Sequence, residues 1–152
     1  MIVLPALAGL GAPWWRPASQ GVIAGLHPAV TAAHLARAAL EAIASRVADI
    51  IEAMAQVVPI RSLRVDGGLT NDPTLLQIQA NTLGLPLAVG RAEVTVLGAA
   101  MLAGAGAGVF ASVEQAAQRL PQGRTVAPRG DPAERAARRE RWRTFVTASA
   151  DL

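Results

Sequence analysis

No cysteine and no lysine occur in these 152 residues. The first absence excludes disulfide staples, thiolate metal sites and cysteine nucleophiles, and it fits a reducing, cytoplasmic setting. The second makes all 14 side-chain cations arginine. The high isoelectric point therefore partly reflects a group that does not titrate in the usual range. Aromatic residues are also scarce, at 3% of the chain. A core must be built from Ala, Leu, Val and Ile, with Ala and Gly letting helices and sheet approach closely. The length suffices for one domain with a real core.

Against 11 acidic residues the arginines leave a net charge of +3. Half of them lie between Arg124 and Arg143. A basic tail can mark nucleic-acid binding. Here Glu134 and Glu140 are interleaved, no glycine–aromatic binding signature is present, and Trp142 and Phe145 suit a helix face docking on a body. The expectation is a solvated terminal helix and no nucleic-acid partner. Met1 to Leu10 is apolar but lacks a positive leader, and Gly11, Pro13 and two tryptophans follow it, so no signal peptide is expected. Val94 to Val113 runs 20 residues without charge. Its Ala and Gly content predicts a buried helix followed by a loop, not a membrane span.

Alternating elements predict an α/β layer structure. Ile2–Leu4 and the run from Gly21 to Leu26 read as strands around a turn-rich loop holding Trp14 and Trp15, which are expected to pack that loop onto the body. Thr31 is the expected N-cap of a long helix reaching about Val57, with Leu35, Ala39, Ile43, Val47, Ile50 and Met54 as its buried stripe. Leu63–Val65 reads as a strand, Pro73 to Leu83 as a helix closed by Gly84, and Leu85–Val89 as another strand. A helix is expected from Thr95 to about Ala105 and a short one from Val113 to Leu120, capped by Ser112 with Gln115 in a capping box. Residues 121–131 read as a linker and Pro132 to Ala148 as the terminal helix.

The chemistry-bearing stretch is Asp66-Gly67-Gly68-Leu69-Thr70-Asn71-Asp72, set between a strand and a helix. Glycines at a strand end admit a ligand to the backbone, and the helix start offers free N–H groups and a positive dipole end. Alone, the same residues also make an ordinary turn. His27 and His34 are seven apart and have no Ser or Asp placed for a triad and no metal-ligand spacing. Asp66 reads as a turn or cap carboxylate, and Glu41 as an i,i+4 partner of Arg37.

Context sharpens the turn. Gly21-x-Ile23-x-Gly25-Leu26, then seven residues, then His34-Leu35-x-x-Ala38-Ala39-Leu40-Glu41, resembles the C-terminal signature of the FGGY carbohydrate kinases. Four further blocks resemble that family in order and spacing, most closely its glycerol-kinase-like members. They are Gly9 to Trp15, Leu63 to Gly68, Leu75 to Ala80 and Leu97 to Gly104. The resemblance covers about residues 2 to 110 and is expected to extend to the terminal helix. It implies an actin-like, ribonuclease-H-like ATPase domain with a mixed sheet flanked by helices. Residues 1–120 would be the C-terminal, nucleotide-side domain and 121–152 a linker with a basic terminal helix packed on it.

The resemblance also implies that ATP or ADP lies against the backbone of Gly67 and Gly68. The family's nucleotide-contacting Asn position falls on Asp72, with Asn71 just before it. A carboxylate there would be repelled by phosphate. Asp72 would instead meet ribose or a base N–H, or cap the helix, and Asn71 would take the polar contact. Arg16-Pro17 and Ser19-Gln20-Gly21 replace the family's usual Asp-Pro and Ala-Arg-Gly, and Arg16 is expected to be solvated.

The family's catalytic Asp, phosphate loop and polyol-binding residues belong to segments upstream of the matched region. No residue here is expected to be catalytic or to ligate metal, and Mg²⁺ is expected only in the complete enzyme. Three readings follow: half of an ATP-dependent glycerol or polyol kinase, incomplete without its N-terminal domain; a non-catalytic nucleotide-binding module; and an interaction domain, with homo-oligomer formation open.

Overall fold

In the computed structural model, which describes residues 1–90, 94–119 and 123–150, the chain opens on a two-stranded ribbon. Strands β1 (Ile2–Leu4) and β2 (Val22–Ala24) pair antiparallel, with Val3 opposite Ile23. The loop between them closes through paired backbone bonds of Leu10 and Arg16, 2.8 Å each way. Ser19 donates its hydroxyl to the Ala150 carbonyl, tying the loop to the end of the chain.

Helix α1 (Ala32–Ala55) starts at Thr31, whose backbone N–H donates to His34 Nδ1 at 3.1 Å. His34 therefore closes its own helix start, a local use that needs neither metal nor triad. The buried side of α1 is not the expected one. Leu35, Ala39, Ile50 and Met54 are exposed, and the inward residues are Ala38, Ala42, Ala44, Ala48, Asp49 and Ile51. Alanine faces let helices approach closely, and α1 lies against helix α2 (Pro73–Leu83) and β1. The buried Gln79 amide donates to the Ala44 carbonyl at 3.2 Å across the α1–α2 contact.

Strands β3 (Leu63–Val65), β4 (Leu87–Val89) and β5 (Arg124–Val126) form a mixed sheet in that order. The β3–β4 pair is parallel, and β4–β5 is antiparallel. β5 lies inside the stretch expected as a linker. Its Arg-Thr-Val sequence carries little strand signal, and it becomes a strand because the outer edge of β4 needs a partner. Leu76, Ala80, Leu87 and Val89 form the core under this sheet, with Leu63, Val65, Leu83 and Val126 around it. Gly84 ends α2 in the left-handed region at φ 67°, with its N–H on the Ala80 carbonyl at 2.8 Å.

Helix α3 (Val94–Gly106) precedes the short α4 (Val113–Ala117). α3 was expected to be buried, and none of its residues is. Its main neighbour among the described elements is α4. Gly104 leaves room for the Phe110 ring, which lies 2.8 Å from where a Cβ would stand. Ser112 Oγ accepts from Gln115 N–H at 3.2 Å, as a cap should, but the Gln115 side chain reaches back to Ala111 N–H. The end of the expected helix, Leu120, lies outside the described residues. Among those residues, no helix is long and apolar enough to cross a membrane.

Helix α5 (Pro132–Ser149) completes the other core. Trp142, Val146 and Ala150 meet Leu4, Ala6, Leu10 and Ala42, with Phe145 packed at the side. Its polar seat is Asp49, whose side chain is 2% exposed. Asp49 accepts from Trp14 Nε1 at 2.8 Å, Trp142 Nε1 at 3.0 Å, Arg46 at 3.0 Å and Arg139 at 2.7 Å. Arg139 also binds Glu52 at 2.7 Å and the Ser45 carbonyl at 3.2 Å, and Arg143 reaches Glu52 at 3.0 Å. Burial alone would raise the Glu52 carboxyl, but hydrogen bonds and charge from Arg139 and Arg143 hold it below its ordinary value. Burial likewise works against the Arg139 cation, and Glu52 and Asp49 more than offset it, raising its value. Trp14 thus packs its loop down as expected, whereas Trp15, 73% exposed, does not.

Candidate functional site

The parallel strands β3 and β4 end on the same edge of the sheet, and the chain there is glycine. Gly90, just past β4, donates its N–H to the Val65 carbonyl at 2.7 Å. A Cβ on Gly90 would stand 3.3 Å from Asp66 Cβ, so the two strand ends lie side by side. In open α/β sheets, ligands bind in the crevice outside the carboxyl ends of parallel strands.

From β3 the backbone passes Asp66 and turns at Gly67, φ 94°, into a single 3-10 turn, Gly68–Asn71. Only glycine adopts that φ without strain. Thr70 closes the turn on the Gly67 carbonyl with its N–H at 3.0 Å and its hydroxyl at 2.7 Å. Asp72 then caps α2, its carboxylate accepting from Thr74 N–H at 2.8 Å and Leu75 N–H at 3.3 Å. Pro73 occupies the first helical position, where no N–H is needed.

These bonds separate the four residues singled out from the sequence. Gly67 and Gly68 are exposed, and a Cβ built on either meets nothing within 4 Å. Asn71 is exposed beside them. Asp72 is half-buried and engaged as the cap, the local alternative that its position left open. Asp66 stands exposed at the turn, and the cap role falls to Asp72. The Arg37–Glu41 pair forms at 2.7 Å on the exposed side of α1. Arg16 is exposed, as its sequence setting suggested.

The turn therefore presents a bare backbone, the start of a helix, one free amide side chain and open space. It can cradle an anion or a nucleotide by N–H groups and the helix dipole. It holds no nucleophile with a base. Among the described residues, no three His, Asp or Glu side chains are grouped to hold a metal ion, so these residues offer no cage of their own for Mg²⁺. The Asp49–Glu52–Arg139 cluster was not visible in the sequence as a unit. Its one local signal was Asp49 set within the apolar run Val47 to Ile51.

The chain has clear relatives among known proteins. The FGGY family of carbohydrate kinases, C-terminal domain, matches residues 1–107. A glycerol kinase from Geobacter sp. (strain M21) is 56% identical over 118 residues, covering 76% of this chain and 24% of its own length. One from Methylibium petroleiphilum is 44% identical over 154 residues, covering 96% and 31%. The chain thus spans about a quarter to a third of these relatives. The crystal structure of Plasmodium falciparum glycerol kinase with ADP superposes with a TM-score of 0.84 at 27% identity, over 97% of this chain and 30% of that one. Xylulose kinase from Rhodospirillum rubrum superposes at 0.77 and 26% identity, over 99% and 30%.

Proposed function

Because the chain belongs to the FGGY family of carbohydrate kinases, as its C-terminal domain, we propose that it forms the nucleotide-binding side of an ATP-dependent kinase acting on glycerol or a related polyol. The observation that carries this reading is the open backbone at Gly67 and Gly68, at the carboxyl ends of β3 and β4. ADP or ATP would lie along that backbone. Asn71 supplies the polar side-chain contact, since the Asp72 carboxylate is already engaged by two helix N–H groups. β5 and α5 act with the rest as one unit, because β5 closes the edge of β4 and α5 fills the core with Trp142.

Transfer of the γ-phosphoryl group needs an acceptor hydroxyl held in line and a group to take its proton. On this reading the rest of the kinase would supply both, with Mg²⁺ neutralising the phosphates there. Apolar surface favours such a partner. Leu35, Ile50 and Met54 on α1 and Val96 and Leu102 on α3 are exposed, as are the glycines of the turn. The isolated chain should bind nucleotide weakly and show no ATP-dependent phosphorylation of glycerol.

The test is an ADP titration by calorimetry with three proteins. Gly68→Val should abolish binding by filling the ligand's space. The fold should persist, because beyond its chain neighbours the new Cβ meets nothing within 4 Å. Asp72→Asn should leave affinity unchanged or slightly lower, since Asn also caps helices. A rise that shrinks with salt would instead place the Asp72 side chain against phosphate. Undiminished binding in Gly68→Val would move the site elsewhere and remove the basis of this reading.

A further inference from the structure

A cavity of about 320 Å³ lies at the far end of α2 from the glycine turn, between α1, the end of α2 and the start of α5. Helical rise puts Thr82 about 13 Å along α2 from Pro73. Six arginines line the cavity: Arg37, Arg129, Arg135, Arg138, Arg139 and Arg141. Three carboxylates share it, and each is already engaged. Glu41 holds Arg37, Glu134 holds Arg138, and Asp131 accepts from Ala133 N–H at 2.9 Å as the cap of α5. Arg139 is committed to Asp49 and Glu52.

Among the described residues, no carboxylate lies within ion-pair distance of Arg129, Arg135 or Arg141. Arg135 is held in place without being neutralised by a carboxylate. Its guanidinium lies over Gly84, where a Cβ would come within 2.6 Å of Cζ. The floor is mixed. Ile2, Ala42 and Ile78 are apolar, and Asn81 and Thr82 are polar. Asn81 Oδ1 accepts from Gln77 and from Arg129 N–H, which leaves its amide donors to face a ligand.

Unneutralised arginines above a small mixed floor suit an anion with hydroxyl groups. Guanidinium recognises phosphate through paired, charge-assisted hydrogen bonds, and the volume is that of a small-molecule site. We propose that this cavity is a second ligand site, separate from the glycine turn, for a small phosphorylated polyhydroxy compound. Arg129, Arg135 and Arg141 bind the phosphate, and Asn81 and Thr82 bind hydroxyls. Arg37 and Arg138 add to the field, since exposed i,i+4 pairs hold them only weakly.

Glucose 6-phosphate is the probe, titrated by calorimetry into the 152-residue chain with and without ADP. It should bind one to one in both cases, unsubstituted glucose should not bind, and inorganic phosphate should bind more weakly than the ester. Gly68→Val should leave this binding intact, which separates it from the nucleotide site. Arg129→Gln and Arg135→Gln should each weaken it by about tenfold, the scale of one charge-assisted hydrogen bond. Glu41→Gln, which frees Arg37, should tighten it, and this variant decides the matter should the arginine variants fail to fold. The proposal is overturned by any one of four results: no binding of the ester, competition with ADP, equal affinity in the Arg129→Gln/Arg135→Gln double variant, or no gain in Glu41→Gln.

Discussion

Helices α3 and α5 reverse the usual relation between composition and burial. α3, from Val94 to Gly106, has no charged residue, yet none of its residues is buried, with Val96 61% and Leu102 63% exposed. α5 carries five arginines and two glutamates and is anchored in the core. The difference lies in what each helix finds opposite it. α5 meets a surface on α1 with a matching carboxylate, and every polar atom it buries is paired. Among the described residues, no buried side-chain nitrogen or oxygen lacks a partner. α3 meets only α4. An apolar helix is held only where a second surface exists to receive it.

Removing the carboxylate on which α5 rests is the strongest way to break this contrast. Asp49→Ala would take from Arg139 its buried carboxylate partner, leaving it the half-exposed Glu52, and take from both indoles their acceptor. Breaking a buried pair from one side costs about 3–5 kcal/mol. Urea unfolding should show a loss of that order. A loss below about 1 kcal/mol, the scale of an exposed pair, would mean that α5 is held by its apolar face alone.

A smaller effect should appear with pH. The Glu52 carboxyl is depressed in the folded chain, so its contribution is complete above its ordinary value of 4.5 and is lost as pH falls through the lower folded value. The urea midpoint of the wild type should therefore exceed that of Glu52→Gln at neutral pH, and the gap should close as pH drops below about 4.5. A gap that persists unchanged into acid would show that Glu52 acts by packing and not by charge.

The smallest effect belongs to α3. Leu102→Ser changes a residue that is 63% exposed, and in the isolated chain stability should move by no more than about 0.5 kcal/mol. A loss of about 2 kcal/mol, typical of a buried leucine, would show that α3 is covered in solution, and sedimentation of the same sample would then reveal a self-associated species.

The local signals were readable, and the long-range ones were not. Thr31, Pro73, Gly84, Ser112 and Pro132 each mark a helix end where the structure has one, because caps act over a few residues. The glycine turn was legible for the same reason, and the role of Asp72 was open between a nucleotide contact and the helix cap, the second of which the structure shows. The face of α1 was misread. Periodicity picks out the larger apolar stripe, whereas burial follows the neighbours, and these neighbours fit alanine. β5 depends on a strand far from it in sequence. The bond from Arg139 to Asp49 joins residues 90 apart, a separation that no spacing rule reaches.

The three tryptophans divide in a way that turns the molecule into its own instrument. Trp14 and Trp142 donate to the same Asp49 carboxylate from two ends of the chain, whereas Trp15 faces water. Indole emission depends on local polarity, so the first two respond together when the N-terminal loop and the last helix separate, and the third supplies a constant background. Replacing Trp15 with Phe would remove that background and leave two native fluorophores reading one contact, without an attached dye.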